Sequence, residues 1–378
     1  MSTTIESSNS LAAGIDAPEP TERLYIDTSA KLADFISSLS PEKDVPCAVD
    51  TEADSLHCYE EKLCLIQMWA EGRAAIIDPL EIDEFGPLLN FLDRAVVWMH
   101  GADFDMRMLR ATFDRIPPKV FDTQIAVRLL GQRRFGLANI VEDYCGVTLS
   151  KQSQKADWGK RPLPEKMIAY AVNDVRYLLP MADHFQDRLQ KLERWDWFLQ
   201  SCEAARENAS LREDRDPDEV WKISGWGKLK PPGLAYLRGL WRWRDDEARR
   251  RDRPPFKIVS NEKLLTFSTA LAAGERVAVP PKLGKPTISR FEEAIEAVKA
   301  LSKSDWPILP KRKRSRRDPK FEEKFAAIRD VRDKAASKLD IEPSLIASRS
   351  VLERLAVEPA LAPELLLPWQ RELLALPG

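Results

Sequence analysis

A pair of acidic residues near position 50 has the spacing expected of metal ligands. Asp50 and Glu52 lie two residues apart at the end of the apolar run Val45–Asp50, and strand residues at this spacing point to the same face of a sheet. Two adjacent carboxylates repel each other unless a cation or a shared proton intervenes. The pair is therefore a candidate set of hard oxygen ligands for Mg²⁺ or Mn²⁺. A solvated strand end is the simpler alternative.

Two further acidic positions follow later in the chain. Tyr170 and Asp174 are four residues apart in a predicted helix over 164–192, so they share one helical face. Asp105 follows the fourth apolar run and falls in the first turn of a predicted helix, with Asp103 available as its cap. Each position taken singly is equally well explained as an ordinary helix residue.

Taken together, the acidic residues predict a two-cation centre. Asp50, Glu52, Asp105 and Asp174 are the candidate ligands, because four converging carboxylates need two divalent ions to balance them. Two such ions roughly 3.5–4 Å apart clamp the attacking and leaving oxygens of a phosphodiester. Tyr170 would orient the attacking water or act as its general base, and an ordinary tyrosine pKa of about 10 favours orientation.

Alternating strand-like and helix-like segments are predicted to position these residues. Helical patterns lie between and after the strands, which indicates an α/β domain with helices on both faces of a sheet. The predicted strands are Val45–Asp50, Leu63–Trp69, Ala74–Asp78 and Ala95–His100, and the predicted helices are 83–93, 103–113, 123–130, 136–146 and 164–192.

The rest of the 378-residue chain is predicted to be helical and divided into small domains. A charged stretch at 202–218, a Pro/Gly-containing linker at 283–289 and a basic connection at 305–319 separate the helical patterns. No strand is predicted after residue 218. The predicted organisation is a disordered leader over 1–22, an α/β domain that carries the acidic residues over 23–202 and two helical domains over 203–290 and 291–378.

Composition excludes several other classes of protein. The five cysteines are scattered without a C-x-x-C pair, so neither a disulfide framework nor a structural zinc site is expected. No phosphate-binding glycine loop and no G-x-S-x-G turn occurs. No signal peptide and no membrane span is predicted, so we expect a cytoplasmic protein without disulfide or membrane partners.

The same residues carry a resemblance to a known family. The chain resembles the DEDD superfamily of 3′→5′ exonucleases, in the branch with a tyrosine in the third motif, and within it the ribonuclease D family. The resemblance extends over about 23–200. The matching segments are Val49–Glu52, Leu63–Met68, His100–Asp105, Phe121–Gln124, Leu149–Lys151, Asp157–Trp158, Arg161–Leu163 and Tyr170–Leu178.

The resemblance implies an RNase H-like α/β domain with a mixed sheet flanked by helices. It also implies release of nucleoside 5′-monophosphates from RNA 3′ ends, most often those of precursor tRNA. Trp221–Lys257 is similar to the helical nucleic-acid-binding domain called HRDC, and 320–374 resembles a second, divergent copy. Asp122 either supports the ligands or caps a helix beginning near Thr123, and the cap is favoured.

Basic residues in the helical regions are candidates for RNA contact. The net charge of −2 does not suggest a nucleic-acid binder, but the charges are unevenly distributed. We interpret the interleaved tryptophans as core residues, whereas the basic cluster suits phosphate contacts. The candidate RNA-binding residues are Lys228, Lys230, Arg242, Arg249, Arg250, Lys311, Arg312 and Lys313.

The leading prediction is a 3′→5′ exoribonuclease that acts as a monomer on RNA 3′ ends. A 3′→5′ DNA exonuclease with the same acids is a second possibility, and a catalytically inactive RNA-binding adaptor is a third. Rates on matched RNA and DNA oligonucleotides separate the first two. Metal-dependent release of mononucleotides excludes the third.

Overall fold

The computed structural model describes residues 14–150, 152–211, 216, 218–279, 283–308 and 319–376. These residues form two compact units. The first unit contains 14–53, 63–150, 152–211 and 319–376. The second contains 54–62, 216, 218–279 and 283–308. Each unit is built from segments that are discontinuous in the sequence.

A six-stranded mixed sheet forms the centre of the first unit, in the order β1-β4-β3-β2-β5-β6. β3 is antiparallel to β2 and β4, and the other pairings are parallel. Every residue of β3 is buried, as expected for a central strand covered on both faces. The strands are β1 Glu22–Ile26, β2 Pro46–Ala53, β3 Leu63–Ala70, β4 Arg73–Ile77, β5 Val96–Met99 and β6 Val120–Asp122.

The turn between β3 and β4 shows why this part of the sheet is a hairpin. Glu71 and Gly72 both have positive φ angles, 50° and 76°. A two-residue turn with this backbone matches the natural twist of two antiparallel strands, and glycine adopts it without strain. The sequence Glu71-Gly72 therefore fixes the β3–β4 register.

Helices cover both faces of the sheet and build two apolar cores. The core that contains Leu65 and Trp69 packs against α6 and α7, and the core that contains Val49 and Met68 packs against α1, α2 and α3. The helices are α1 Ser29–Ser37, α2 Gly86–Leu92, α3 Asp103–Phe113, α4 Thr123–Leu129, α5 Leu137–Cys145, α6 Glu165–Arg176, α7 Leu178–Lys191 and α8 Trp195–Leu211.

The predicted helix 164–192 is two helices in the structure. α6 ends at Arg176 and α7 begins at Leu178. Pro180 explains the interruption, because it has no N–H and its ring crowds the carbonyl of the residue four positions earlier, Arg176.

The C-terminal helices pack against the sheet domain within the first unit. The buried Arg194 donates to the carbonyl oxygens of Leu129 and Leu339, at 2.6 and 2.8 Å. Trp197 stacks on Trp369 with 5.0 Å between ring centroids. These helices are α13 Pro319–Leu339, α14 Pro343–Ile346, α15 Arg349–Val357, α16 Ala362–Leu365 and α17 Pro368–Leu373.

The second unit is helical among its described residues, and its longest helix, α9, packs against α11 and α12. Its core contains Trp243 and Phe291, and Trp226 and Trp241 pack against it, so the interpretation of the tryptophans as core residues is confirmed. The helices are α9 Pro231–Arg250, α10 Pro255–Ile258, α11 Asn261–Ala272 and α12 Lys285–Lys299.

The structure departs from the predicted domain boundaries at several points. Residues 14–22, predicted as part of a disordered leader, pack on the first unit, where Arg176 donates to the carbonyl of Ala17. The boundary at 202/203 falls inside α8 and that at 290/291 inside α12, so most of the predicted linker 283–289 is helical. Pro286 lies in the first turn of α12 instead of in a linker, since proline is accepted in the first helical turn.

Among the described helices, none is both long and apolar enough to cross a membrane. The basic run 310–317 lies outside the described residues, and the next described residue, Pro319, begins α13.

Candidate active site

Strand β2 places Asp50 and Glu52 side by side on the face of the sheet that packs against α6. Both are half-buried, and their partners across the strand pair are Gln67 and Leu65. The register shifts between Glu52 and Ala53, so the regular pairing ends directly after the second acid. The prediction from the two-residue spacing is confirmed for this local geometry.

Helix α6 brings Asp174 and Tyr170 to the same place. Its buried residues Ala171 and Val175 anchor it to the sheet, and Asp174, 8% exposed, lies on the inward side with them. Oxygen atoms of Asp50, Glu52 and Asp174 all lie within 4.8 Å of one another. Tyr170 is half-buried one helical turn earlier and hydrogen-bonds to Asp174.

Asp105 reaches the cluster from the first turn of α3. Its Oδ1 accepts hydrogen bonds from the backbone N–H of Thr51, at 3.0 Å, and from the Thr51 hydroxyl, at 2.5 Å. Thr51 lies between Asp50 and Glu52 on β2, so its two hydrogen bonds hold Asp105 beside the first two acids. Thr51 was not predicted from the sequence, although successive strand residues point to opposite faces, which turns Thr51 away from Asp50 and Glu52 and toward α3.

Two aspartates beside the cluster have structural positions. Asp122 accepts from the backbone N–H groups of Gly101, Ala102 and Gln124 at 2.7–3.0 Å, so its predicted cap of the helix at Thr123 is confirmed. It also orders the entry to α3, which carries Asp105. The prediction that Asp103 caps α3 is wrong: Ala102 occupies the cap position, and Asp103 pairs with a residue one turn along the same helix.

Burial and mutual repulsion raise the pKa of every acid in the cluster. Desolvation is the largest cause for each. Neighbouring carboxylates add to it and bring the pKa of Glu52 to about 9 and that of Asp50 well above its ordinary range. The pKa of Asp105 is raised to about 6 and that of Asp174 to about 7, mainly by burial. A cation bound among these carboxylates would offset their repulsion and lower their pKa values.

The donor set fits hard divalent cations. All candidate ligands are carboxylate oxygens, and oxygen atoms of three of the acids lie within 4.8 Å of one another. Asp105 and Asp174 are buried, and Asp50 and Glu52 are half-buried. Mg²⁺ and Mn²⁺ prefer such ligands, whereas zinc and copper sites draw on histidine and cysteine. The arrangement suits hydrolysis of a phosphodiester, where positive charge must face both the attacking and the leaving oxygen.

A cavity of about 220 Å³ adjoins the cluster and was not predicted from the sequence. Tyr170 and Asp174 form one wall, and residues from the segment before α6 and from α6 itself form the rest. The other lining residues are Leu149, Ser150, Gln152, Ser153, Lys166, Ala169 and Asn173. The cavity offers room for part of a substrate directly beside the acids.

The candidate RNA-binding residues of the second unit occupy different places. Arg242 and Arg250 line a cavity of about 470 Å³ between α9 and α12, together with Arg238 and Arg290. Arg249 lies elsewhere and donates to the hydroxyl of Tyr59 at 3.1 Å.

The other candidate RNA-binding residues divide into two groups. Lys228 and Lys230 are exposed just before α9. Lys311, Arg312 and Lys313 lie outside the described residues.

Comparisons with known proteins agree with this geometry. A family model described as 3′-5′ exonuclease matches residues 24–190, and one described as HRDC domain matches 233–274. A ribonuclease D of Musicola paradisiaca is 32% identical over 346 residues, which cover 87% of this chain and 91% of that protein. A ribonuclease D of Gluconacetobacter diazotrophicus is 29% identical, with 94% and 90% covered.

Solved structures show the same fold. Escherichia coli RNase D, described as an exoribonuclease involved in structured RNA processing, superposes with a TM-score of 0.68 at 25% identity and covers 93% of this chain and 98% of its own. A protein from Bifidobacterium adolescentis shares the fold with a TM-score of 0.76 at 24% identity, with 95% of both chains covered.

The mixed sheet, the acidic cluster and the matched family model define a 3′→5′ exonuclease of the divalent-metal-dependent kind. Its substrate is nucleic acid. The chain belongs to the ribonuclease D family and is a 3′→5′ exoribonuclease, as predicted.

Proposed function

We propose that Asp50, Glu52, Asp105 and Asp174 hold two divalent cations, Mg²⁺ or Mn²⁺, at which the chain hydrolyses the last phosphodiester of an RNA 3′ end. The convergence of three carboxylates within 4.8 Å, with Asp105 anchored beside them by Thr51, carries the proposal. Cations bound there supply positive charge for the attacking water and the leaving 3′ oxygen. The product is a nucleoside 5′-monophosphate.

Tyr170 orients the attacking water in this proposal. Burial and the adjacent acids raise the pKa of Tyr170 far above its ordinary value, so its phenol keeps its proton at neutral pH. A protonated phenol donates one hydrogen bond and has no tendency to act as a base. Its bond to Asp174 fixes the ring beside the reacting phosphate. In this proposal Glu52 contacts the terminal ribose, whose 2′-OH distinguishes RNA from DNA.

The RNA in question is proposed to be structured, with precursor tRNA as the main candidate. The description of the Escherichia coli relative as an enzyme of structured RNA processing supports this assignment. In this proposal Arg242 and Arg250, which line the cavity between α9 and α12, contact phosphates, and the exposed Lys228 and Lys230 add positive charge nearby in the sequence. A monomeric state, a cytoplasmic location and a second HRDC-like copy over 291–378 stay predictions.

The test is digestion of a 5′-labelled single-stranded RNA beside the DNA oligonucleotide of the same sequence. We expect a ladder of products that shorten by one nucleotide on RNA with Mg²⁺ or Mn²⁺, and none with EDTA. Equal or faster shortening of the DNA would contradict the ribose assignment. Internal cleavage without a ladder would contradict the exonucleolytic mechanism.

The contribution of the second unit is tested by binding. Arg242→Ala should weaken RNA binding uniformly across sequences and reduce its dependence on salt, as expected for the loss of a phosphate contact. Arg354→Ala, which removes an arginine from α15 of the first unit, is the matched control. Equal effects of the two variants would show that net charge, and not the cavity between α9 and α12, determines RNA affinity.

A further inference from the structure

Gln67 in β3 is a buried polar residue that does not belong to the proposed set of metal ligands. Its side chain has no measurable exposure, and neither its Nε2 nor its Oε1 has a hydrogen-bond partner among the described residues. A buried polar group left without a partner costs roughly 1–3 kcal/mol, and a carboxamide has two such groups. An apolar residue of the same size would avoid that cost at a position fully covered by α6.

One polar residue lies directly opposite Gln67 on its own face of the sheet. Leu65 and Trp69 lie two residues to either side on the same strand, and Ile76 is directly opposite on β4. Asp50 is directly opposite on β2. Side chains of directly opposed residues lie on one face, with roughly 4.5–5.5 Å between their Cβ atoms.

We propose that Gln67 is a positioning residue of the catalytic centre that acts through Asp50. Its Nε2–H donates to the Asp50 carboxylate across one buried water, since the two groups are adjacent but beyond direct hydrogen-bond distance here. This bond holds one carboxylate oxygen and leaves the other turned to the cations. The proposal rests on the assignment of Asp50 as a cation ligand.

The proposal explains why a glutamine occupies a fully buried strand position. Residues that hydrogen-bond to metal ligands fix the orientation of the ligand and raise metal affinity, and their loss typically weakens affinity or activity by about 10–100-fold. A neutral carboxamide does so without adding a fifth negative charge to a cluster that is already repulsive.

The test compares Gln67→Met, which keeps the length and apolar volume of the side chain, with Met68→Leu on the opposite face of the same strand. Mn²⁺ binding to the full chain is measured by calorimetry without RNA, and kcat and KM are measured on RNA. We expect Gln67→Met to weaken Mn²⁺ binding and lower kcat by about 10–100-fold, with KM little changed. Met68→Leu should change neither quantity.

Melting in EDTA separates positioning from packing. Gln67→Met should melt no lower than the unchanged chain, because the substitution removes a buried carboxamide whose Oε1 has no partner and whose Nε2 is held only through water. Unchanged Mn²⁺ affinity and kcat in the variant would overturn the proposal. Failure of both Gln67→Met and Gln67→Leu to fold would overturn it too, since the amide would then be holding the fold.

Asp50→Asn distinguishes this proposal from the proposed function. If Asp50→Asn abolishes Mn²⁺ binding while Gln67→Met does not alter it, only the role of Gln67 fails. If Asp50→Asn binds Mn²⁺ as well as the unchanged chain, the cation site itself is wrongly assigned, and the role of Gln67 fails with it.

Discussion

The acidic cluster of the first unit and Glu247 of the second unit have opposite surroundings. In the second unit, Glu247 of α9 is fully buried, accepts from Thr287 at 2.9 Å and pairs with Arg250 and Arg290. These partners hold the pKa of Glu247 at about 2 despite its burial. In the first unit, burial raises the pKa of Asp50 most, and the neighbouring carboxylates raise it further, against a smaller lowering by the backbone of Thr51.

The difference separates charge that supports the fold from charge that serves a reaction. Glu247 lies between α9 and α12, where its hydrogen bonds join the two helices, and its charge is balanced by the chain itself. Among the described residues, no basic side chain contributes to the pKa shifts of Asp50 and Glu52, so the charge of the acidic cluster suits bound cations. A protein retains such a costly arrangement at a functional site, because perturbed groups and stored repulsion concentrate there.

The largest expected effect is on catalysis. Asp50→Asn should reduce exonuclease activity by more than the ~100-fold that loss of an outer hydrogen-bond partner costs, because it removes a shared ligand. The metal-free variant should melt at the same or a higher temperature, since one repelling charge is gone. Activity assays and calorimetry in EDTA measure both. Asp103→Asn on the exposed side of α3 is the control. An equal loss of exonuclease activity in this variant would show that Asp50 has no specific role in catalysis.

A smaller catalytic effect is expected from Tyr170→Phe. Removal of the hydroxyl leaves the ring packed near Trp158 but deletes the bond to Asp174 and the contact to water. We expect kcat to fall by about 100-fold or less, whereas Mn²⁺ should still bind, with an affinity lowered by at most about 10-fold through the lost bond to Asp174. Single-turnover kinetics measure the chemical step. A rate equal to that of the unchanged chain would exclude Tyr170 from the mechanism.

The balanced acid should matter for stability and not for chemistry. Glu247→Gln keeps the shape but loses the charge, and should lower the free energy of unfolding of the second unit by about 1–2 kcal/mol, because its arginine partners are partly open to water. Glu296→Gln, from an exposed pair with Lys299, should change it by less than about 0.5 kcal/mol. Urea unfolding measures both. Similar effects would show that the Glu247 network is no more than a surface pair.

The smallest effect is a difference in pH dependence. Raised pKa values mean that the folded first unit keeps protons that the unfolded chain releases, so in EDTA its stability should fall as pH rises from about 4.5 through the raised pKa of Glu52, about 9. Glu247 has a lowered pKa, so its contribution is complete above about 4.5 and is lost as pH falls toward 2. Calorimetry between pH 3 and 8 follows both trends, which have opposite signs. Mg²⁺ should reduce the pH dependence of the first unit's stability and leave that of the second unit unchanged.

Local periodicity was enough to predict most of the site. Asp50 and Glu52 follow from the two-residue period of a strand, and Tyr170 with Asp174 from the four-residue spacing of a helix face. Neither pattern predicts that Asp105 is held by Thr51, because that contact joins residues 54 positions apart. The unpartnered amide of Gln67 is likewise visible only when both neighbouring strands and α6 are in place.

The fold was predicted best where apolar runs are long. β1 and β6 were missed because one is a five-residue strand with polar ends and the other has three residues. The helices after 319 were predicted, but their packing in the first unit was not, since it depends on contacts such as Trp197 with Trp369 across a long stretch of chain. Arrangement in space was not encoded in any local pattern.

The most direct measurement is anomalous scattering from crystals of the full chain grown with Mn²⁺. The account predicts two peaks, roughly 3.5–4 Å apart, both in contact with Asp50, with Glu52, Asp105 and Asp174 completing the ligands. Peaks should be absent beside Glu247, whose charge the chain already balances. A chain that degrades RNA with Mn²⁺ yet shows no peak among these four acids would contradict the account.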